Sequence, residues 1–219
     1  MKKVLCFTPS LGRLKMLRSC IQDISNQAYQ NIFHSVNITI NQVVNREIDM
    51  VKIFDDLKSD KNSVIFTPNQ HQHNNHMNAI FAVNNYDEYD IFVKIDDDEI
   101  YKKDYIMTIV KYFEENDVDV ISSKMKYQLN GNLFRIGDYN NLGANPENCD
   151  FKMPSTFAFN LKALKLIKDL NITYGFEDNM WRDVWCDNCK IGDVDNTENV
   201  IWYIHGKNVS TADFLIKQQ

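Results

Sequence analysis

Chain breakers are scarce in this sequence. Its 219 residues include only 7 glycines and 4 prolines, which excludes a collagen-like or low-complexity chain and leaves no Pro/Gly-rich stretch to serve as a linker between domains. Long apolar runs are missing as well. No stretch approaches the roughly 18 consecutive apolar residues of a membrane span. Met1-Lys-Lys-Val-Leu-Cys-Phe7 begins like a signal peptide, but its apolar run stops at Thr8-Pro9, too early for one. The expectation is a cytoplasmic protein without a transmembrane segment. The 5 cysteines are odd in number and widely spaced, which fits reduced thiols better than a disulfide framework. Positive charge is not in excess either. A net charge of −6 argues against a mainly electrostatic hold on nucleic acid, although it leaves room for a local basic groove.

What is there suits one well-buried domain over residues 1–219: 44% hydrophobic and 12% aromatic residues on a chain long enough to bury a core. Val4 to Phe7 reads as a buried strand. Leu14, Leu17, Ile21 and Ile24 then recur at helical spacing. Val36 to Ile40 reads as a second strand, Ile48 to Leu57 as a second helix, Ser63 to Thr67 as a third strand and Met77 to Val83 as a third helix. Such alternation predicts an α/β domain with a mostly parallel sheet. Beyond residue 117 the pattern is less regular. Strands are expected at Val118 to Ser123, Phe134 to Ile136, Thr156 to Phe159 and Val200 to Ile204, and helices at Leu161 to Leu170 and Asp178 to Trp185.

The apolar run Ile91-Phe-Val-Lys-Ile95 leads directly into Asp96, Asp97, Asp98 and Glu99. Four acids at the mouth of a strand repel one another and lose hydration, and a divalent cation would offset both costs. Because side chains alternate along an extended chain, Asp96 and Asp98 would point one way and Asp97 the other. The first two would form a clamp of hard oxygens suited to Mg²⁺ or Mn²⁺. The competing reading makes these acids caps for the next helix.

Several segments together resemble the family-2 glycosyltransferases: Phe7-Thr-Pro-Ser-Leu-Gly-Arg13, Asn26-Gln-Ala-Tyr-Gln-Asn31, the Asp96-Asp97-Asp98 triplet, Gly175-Phe-Glu-Asp178 and His205. The resemblance runs from residue 3 to about 207 and implies a GT-A fold, a nucleotide-diphosphate sugar as donor and transfer to an acceptor hydroxyl. It implies that Thr8, Pro9 and Arg13 border the nucleotide pocket, that Asn78 faces the diphosphate, and that Asp96 and Asp97 belong to the donor site. It also implies a Mn²⁺ or Mg²⁺ ion on Asp98, with Asp96 and His205 beside it. Imidazole next to carboxylate leans toward Mn²⁺. Glu177 and Asp178 match the acidic pair that activates the acceptor in many inverting members, with capping of the helix that follows as the competing role. Where the family usually carries a base-reading acid, this chain has Asn37-Ile-Thr-Ile-Asn-Gln42. Asn41 can donate and accept there, which leaves the nucleobase open.

The acceptor is open too: a saccharide, a lipid-linked glycan, a protein or a modified nucleic acid. Two rivals stand beside the transferase, a sugar nucleotidyltransferase of related fold and a non-catalytic saccharide-binding module. The first lacks support because Leu11-Gly-Arg-Leu14 keeps only a fragment of the glycine-rich loop such enzymes use. His71, His73 and His76 are expected in a loop at the sheet's ligand edge, contacting donor or acceptor, with a transition-metal site as the competing reading. Cys186 and Cys189 have the spacing of a zinc or redox pair but no second pair to complete a zinc site.

Overall fold

The computed structural model describes residues 1–10, 12–40, 60–68, 72–124, 126–129, 132–135, 157–170 and 177–203. The expected helix at 48–57 lies outside them, as do His71, Asn41 and His205. The first strand, β1 (Val4–Ser10), is buried on both faces, and α1 (Leu14–Ser25) follows it. Then come β2 (Ile32–Ile40), β3 (Asn62–Pro68), α2 (Gln72–Phe81) and β4 (Ile91–Lys94). A short β5 (Glu99–Tyr101) leads to α3 (Tyr105–Glu115), β6 (Val120–Lys124), β7 (Lys126–Leu129) and β8 (Asn132–Arg135). The last described elements are β9 (Phe157–Asn160), α4 (Leu161–Ile167), α5 (Glu177–Asn188), β10 (Ile191–Asp195) and β11 (Val200–Tyr203).

Seven strands form the main sheet in the order β10-β6-β9-β4-β1-β2-β3. All neighbours are parallel except β9, which runs antiparallel to both β4 and β6. From β1 the chain winds outward through β2 and β3, then returns to lay β4 on the other side of β1. The strand order therefore reverses between β1 and β4, and in open α/β sheets the crevice beyond the carboxyl ends of such a pair receives the ligand. A second sheet, β5-β11-β7-β8, was not expected. Within it β11 lies antiparallel to β5, with Trp202 opposite Glu99.

Alternation along β1 and β4 splits the core in two. Val4, Cys6, Ile91, Val93 and Ile95 pack with α1 and α3 on one face. Leu5, Phe7 and Phe92 pack on the other face with α2, α4 and α5. The second layer is strongly aromatic: Trp181 and Trp185 of α5 are fully buried, and the Trp185 ring centroid lies 5.1 Å from that of Phe159 and 5.4 Å from that of Phe157. Trp185 Nε1 donates to the Ala163 carbonyl at 3.1 Å, so its polar atom is satisfied as well.

Cys186 is disulfide-bonded, whereas Cys6, Cys20 and Cys189 are free thiols. Not every cysteine is reduced, then, and Cys186 and Cys189 do not form a dithiol pair. Among the described residues no helix is long and apolar enough to cross a membrane.

Trp185→Ala is expected to lower unfolding stability by about 3 to 5 kcal/mol, the range for emptying a large aromatic site in a packed core. Urea denaturation followed by circular dichroism measures it. A loss under about 1 kcal/mol would mean that α5 is not anchored through this residue.

Candidate active site

The site is built where β1 and β4 end together. The Ile95 amide donates to the Phe7 carbonyl at 3.0 Å, carrying the strand pairing one step past β4. The chain then leaves the sheet at Asp96, and β1 leaves it after Ser10. Between Ser10 and α1 stands Gly12, whose φ of +79° is left-handed, a conformation that costs glycine little and other residues more. Its amide donates to Ser10 Oγ at 3.1 Å. This turn directs Arg13 back over the end of β4.

Arg13 meets two of the three acids. Its Nη1 donates to Asp98 Oδ2 at 2.6 Å and its Nη2 to Asp97 Oδ1. Ser10 Oγ donates to the other oxygen of Asp97 at 2.5 Å. The Asp97 side chain is completely buried, and because it shares Arg13 with Asp98 at a turn, the expected pairing of Asp96 with Asp98 in one clamp does not form. Burial pushes the Asp97 carboxyl up to about 6, against the opposing pull of Arg13 and Ser10. Burial also works against the Arg13 charge, but Asp97 and Asp98 outweigh it and hold the guanidinium above its ordinary value.

Asp96 lies on the opposite side, where sequence reasoning overlooked its partner. Lys94 is 4% exposed, and its Nζ is 3.1 Å from each carboxylate oxygen of Asp96. The signal was available: a lysine inside an otherwise apolar strand, two residues before an acid and so on the same face. Beneath Asp96, the Tyr101 hydroxyl accepts from the Asp96 amide at 2.8 Å and donates to Glu99 Oε2 at 2.7 Å. Glu99 is buried, and burial followed by the charge of Asp96 raises its carboxyl well above the ordinary range. Through its contact with Tyr101 it props that residue, and with it the exit of β4, from inside the protein.

Other expected site residues fall in different places. Thr8 is completely buried, with its Oγ1 2.8 Å from His34 Nε2. Burial lowers the His34 imidazole to about 3 and keeps it neutral. Thr8 thus turns its hydroxyl into the core, away from any nucleotide pocket. Pro9 sits half-buried on β1, level with Asn37 of β2. Asn37 is buried, accepts from Thr67 Oγ1 at 3.0 Å and donates to the Asn75 carbonyl at 3.1 Å. Asn78 lies half-buried on α2.

His73 and His76 do not lie in a loop, because α2 already begins at Gln72. His76 is a core residue, 3% exposed, with its ring centroid 5.1 Å from that of Trp181 and 6.1 Å from that of Phe7. Packed between aromatics, an imidazole behaves as one of them.

Glu177 and Asp178 open α5, where the helix dipole favours negative charge. Trp181, one turn on, packs edge-to-face against Phe157 at 5.7 Å, and Lys94 Nζ stands 5.5 Å from the centroid of that same Phe157 ring. One aromatic wall therefore ties the helix that carries Asp178 to the strand that carries the acid triplet.

A divalent cation fits part of this donor set. Asp97 is closed to it, since both of its oxygens are taken inside the protein. The Asp96 and Asp98 side chains keep 22% and 12% of their exposure. With Arg13 and Lys94 against three carboxylates, one negative charge is left, on hard oxygens that suit Mg²⁺ or Mn²⁺. Among the described residues no group of three His, Cys, Asp or Glu side chains forms a complete ligand set.

The raised carboxyl of Asp97 has a sign that can be tested. The folded protein holds this proton more tightly than the unfolded chain, so the group's contribution to stability is full below about pH 4 and is lost as pH rises through about 6. Urea midpoints should therefore rise as pH is lowered from 7 toward 5, and Asp97→Asn should flatten that slope. An unchanged slope in the Asn variant would assign the titration to other groups.

No protein-family model and no curated protein matches the chain by sequence, but solved structures match by shape. The S. aureus TarS fragment 1–349 in complex with UDP aligns over 92% of this chain with a TM-score of 0.66 and 13% identity. The same fragment with UDP-GlcNAc aligns over 94% with a TM-score of 0.67 and 13% identity. This chain spans about 60% of the TarS fragment's length. Glucosyl-3-phosphoglycerate synthase from Mycobacterium tuberculosis, crystallised with Mn²⁺, UDP and glucosyl-3-phosphoglycerate, aligns over 98% of this chain and 75% of its own, with a TM-score of 0.63 and 16% identity. At such identities the likeness speaks for architecture, and the chain has the GT-A fold, the one its resemblance to family-2 glycosyltransferases implied.

Proposed function

We propose that residues 1–219 act as one glycosyltransferase domain that moves a sugar from a nucleotide-diphosphate donor to an acceptor hydroxyl, with inversion and with Mn²⁺ or Mg²⁺ present. The observation that carries this reading is the acid triplet at the β1/β4 switch point, faced by Arg13 and backed by Lys94. The structural neighbours crystallised with UDP and UDP-GlcNAc support a uridine diphosphate sugar as the first donor to try.

In this reading Asp98 and His205 hold the cation, which supplies charge neutralisation for the departing diphosphate. For His205 the support is indirect: β11 pairs with β5 immediately after the acid triplet, and His205 follows β11 by two residues. Arg13 has the forked donors that suit phosphate oxygens. Asn78 and Pro9 line the nucleotide side in this reading, and Asn41, the residue after β2 in sequence, is the candidate to meet the base. Asp178, in the first turn of α5, takes the acceptor proton as general base. Glu177 beside it keeps the local field negative.

A positioned base behind the sugar produces one in-line displacement and an inverted product. Asp178→Asn preserves shape but cannot accept the proton, so turnover should fall roughly 10²- to 10⁴-fold, about 3 to 5.5 kcal/mol of barrier, while UDP affinity stays within about twofold. UDP release from UDP-GlcNAc and UDP-glucose, with and without candidate acceptors, reads the rate, and NMR of the product reads its anomeric configuration. Retention of configuration, or near-normal turnover in the Asn variant, removes Asp178 from the mechanism. Pyrophosphate as the released product would point instead to a nucleotidyltransferase, and binding without any release to a saccharide-recognition module.

A further inference from the structure

A small cavity opens between the end of α1 and the start of β2, with Ser25, Tyr29, Gln30, Ile32, His34 and Lys61 among its walls. Ile32 pairs with Val4, so the cavity lies at the amino ends of the strands, away from the acid triplet. The space open to a water centre is about 10 Å³, room for a single molecule. His34 is 2% exposed, and its Nδ1 is buried without a hydrogen-bond partner among the described residues. Because Nε2 is turned to Thr8, Nδ1 is the one polar atom the ring can offer to the cavity. Left unpaired, it would carry its full desolvation cost.

The hydroxyls and the amide of the wall spend their protons elsewhere. Ser25 Oγ donates to the Ile21 carbonyl at 2.8 Å and the Tyr29 hydroxyl to the Lys2 carbonyl at 2.7 Å. The Gln30 amide nitrogen donates to the Gln27 and Ala28 carbonyls at 3.1 and 3.3 Å. The Ser25 and Tyr29 oxygens keep lone pairs, because a hydroxyl accepts as well as donates, so they face the cavity's contents as acceptors. The inner end of the ring leads to a matching assignment. The Thr8 hydroxyl has one proton and two neighbours, His34 Nε2 at 2.8 Å and the Cys20 thiol. Sulfur is a weak acceptor, so the Thr8 proton goes to Nε2, and a neutral imidazole must then carry its own proton on Nδ1.

We infer that this cavity is a water site: one water accepts the Nδ1 proton of His34 and donates its own two protons to the hydroxyl oxygens of Ser25 and Tyr29. Three hydrogen bonds are the usual complement of a buried water. The water completes a polar line that runs from the cavity through His34 and Thr8 to Cys20, joining β2, β1 and α1 across an otherwise apolar layer. It also fixes the sense of every hydrogen bond along that line, which is why Thr8 turns its hydroxyl into the core. The inference stands apart from the proposed function and needs neither metal nor donor sugar.

NMR of the isotope-labelled protein tests this without turnover. A long-range proton–nitrogen correlation spectrum of the histidine rings at neutral pH should show His34 protonated at Nδ1 and bare at Nε2. Its Nδ1 proton should also give a rotating-frame Overhauser cross-peak at the water frequency. Ser25→Leu puts an alkyl group into the cavity and removes one acceptor, and in that variant the cross-peak should vanish. The Nε2-protonated tautomer in the wild-type protein overturns the inference, as does an Nδ1 proton without a cross-peak to water. A cross-peak that survives in a folded Ser25→Leu variant places the water outside the cavity and overturns it too. If Ser25→Leu does not fold, the two wild-type spectra decide the matter alone.

Discussion

Much of the site depends on the forked contact between Arg13 and the acids Asp97 and Asp98. Asp97 is wholly inside the protein, and without the guanidinium and Ser10 it would be a buried charge lacking compensation, a condition that costs several kcal/mol. The contact also joins two stretches distant in sequence, the exit of β1 and the exit of β4. Once these exits are joined, the left-handed turn at Gly12, the entry of α1 and the emergence of Asp96 and Asp98 toward the crevice follow from one constraint. The acid triplet is thus part of the architecture before it is part of any chemistry: one acid is wholly structural, and the other two, on Lys94 and Arg13, keep part of their exposure.

The aromatic layer on the opposite face performs the corresponding task for α5. Phe157, Trp181 and Trp185 interlock at centroid distances of 5.4 to 5.7 Å, and rings packed in this way tolerate little sliding. A helix attached to that layer holds its first turn at a fixed height above the sheet. The two halves of the proposed reaction, departure of a diphosphate and activation of a hydroxyl, are served from opposite faces of the sheet and share Phe157 as a common support.

Much of this was legible in the sequence, though unevenly. Period-two alternation put Asp96 and Asp98 together and Asp97 apart, but the chain turns at residues 97–98, so Asp97 and Asp98 share Arg13 and Asp96 is the one set apart, on Lys94. It could not say that Arg13 would reach Asp97, since that depends on a turn whose geometry is set by one glycine. Strand direction was less accessible. The Phe-Ala-Phe run of β9 looks the same whether it pairs parallel or antiparallel, so its reversal between β4 and β6 left no mark in composition. The three residues of β5 were not expected as a strand, because their partner, β11, comes so much later in the chain. His76 was misread for a chemical reason: imidazole is scored as polar, yet packed against Trp181 and Phe7 it serves as an aromatic. Lys94 was passed over for the reverse reason, since a charged residue within an apolar strand was counted with the strand.

The pairing of β5 with β11 bears on how the molecule is made. Tyr101 stands opposite Val200, so the strand immediately downstream of the acid triplet has no neighbour on that side until about a hundred further residues have left the ribosome. β11 also lies between β5 and β7, which makes it the keystone of the smaller sheet and not its edge. Contacts between such distant segments form late and slowly. During synthesis, then, β1 to β4 can assemble while Glu99 and Tyr101 still wait for their partner. The exits of β1 and β4 can be joined before the support beneath the acids is finished, and a chain interrupted between β10 and β11 would retain the strands of the larger sheet but leave β5 and β7 with bare edges open to pairing with other chains.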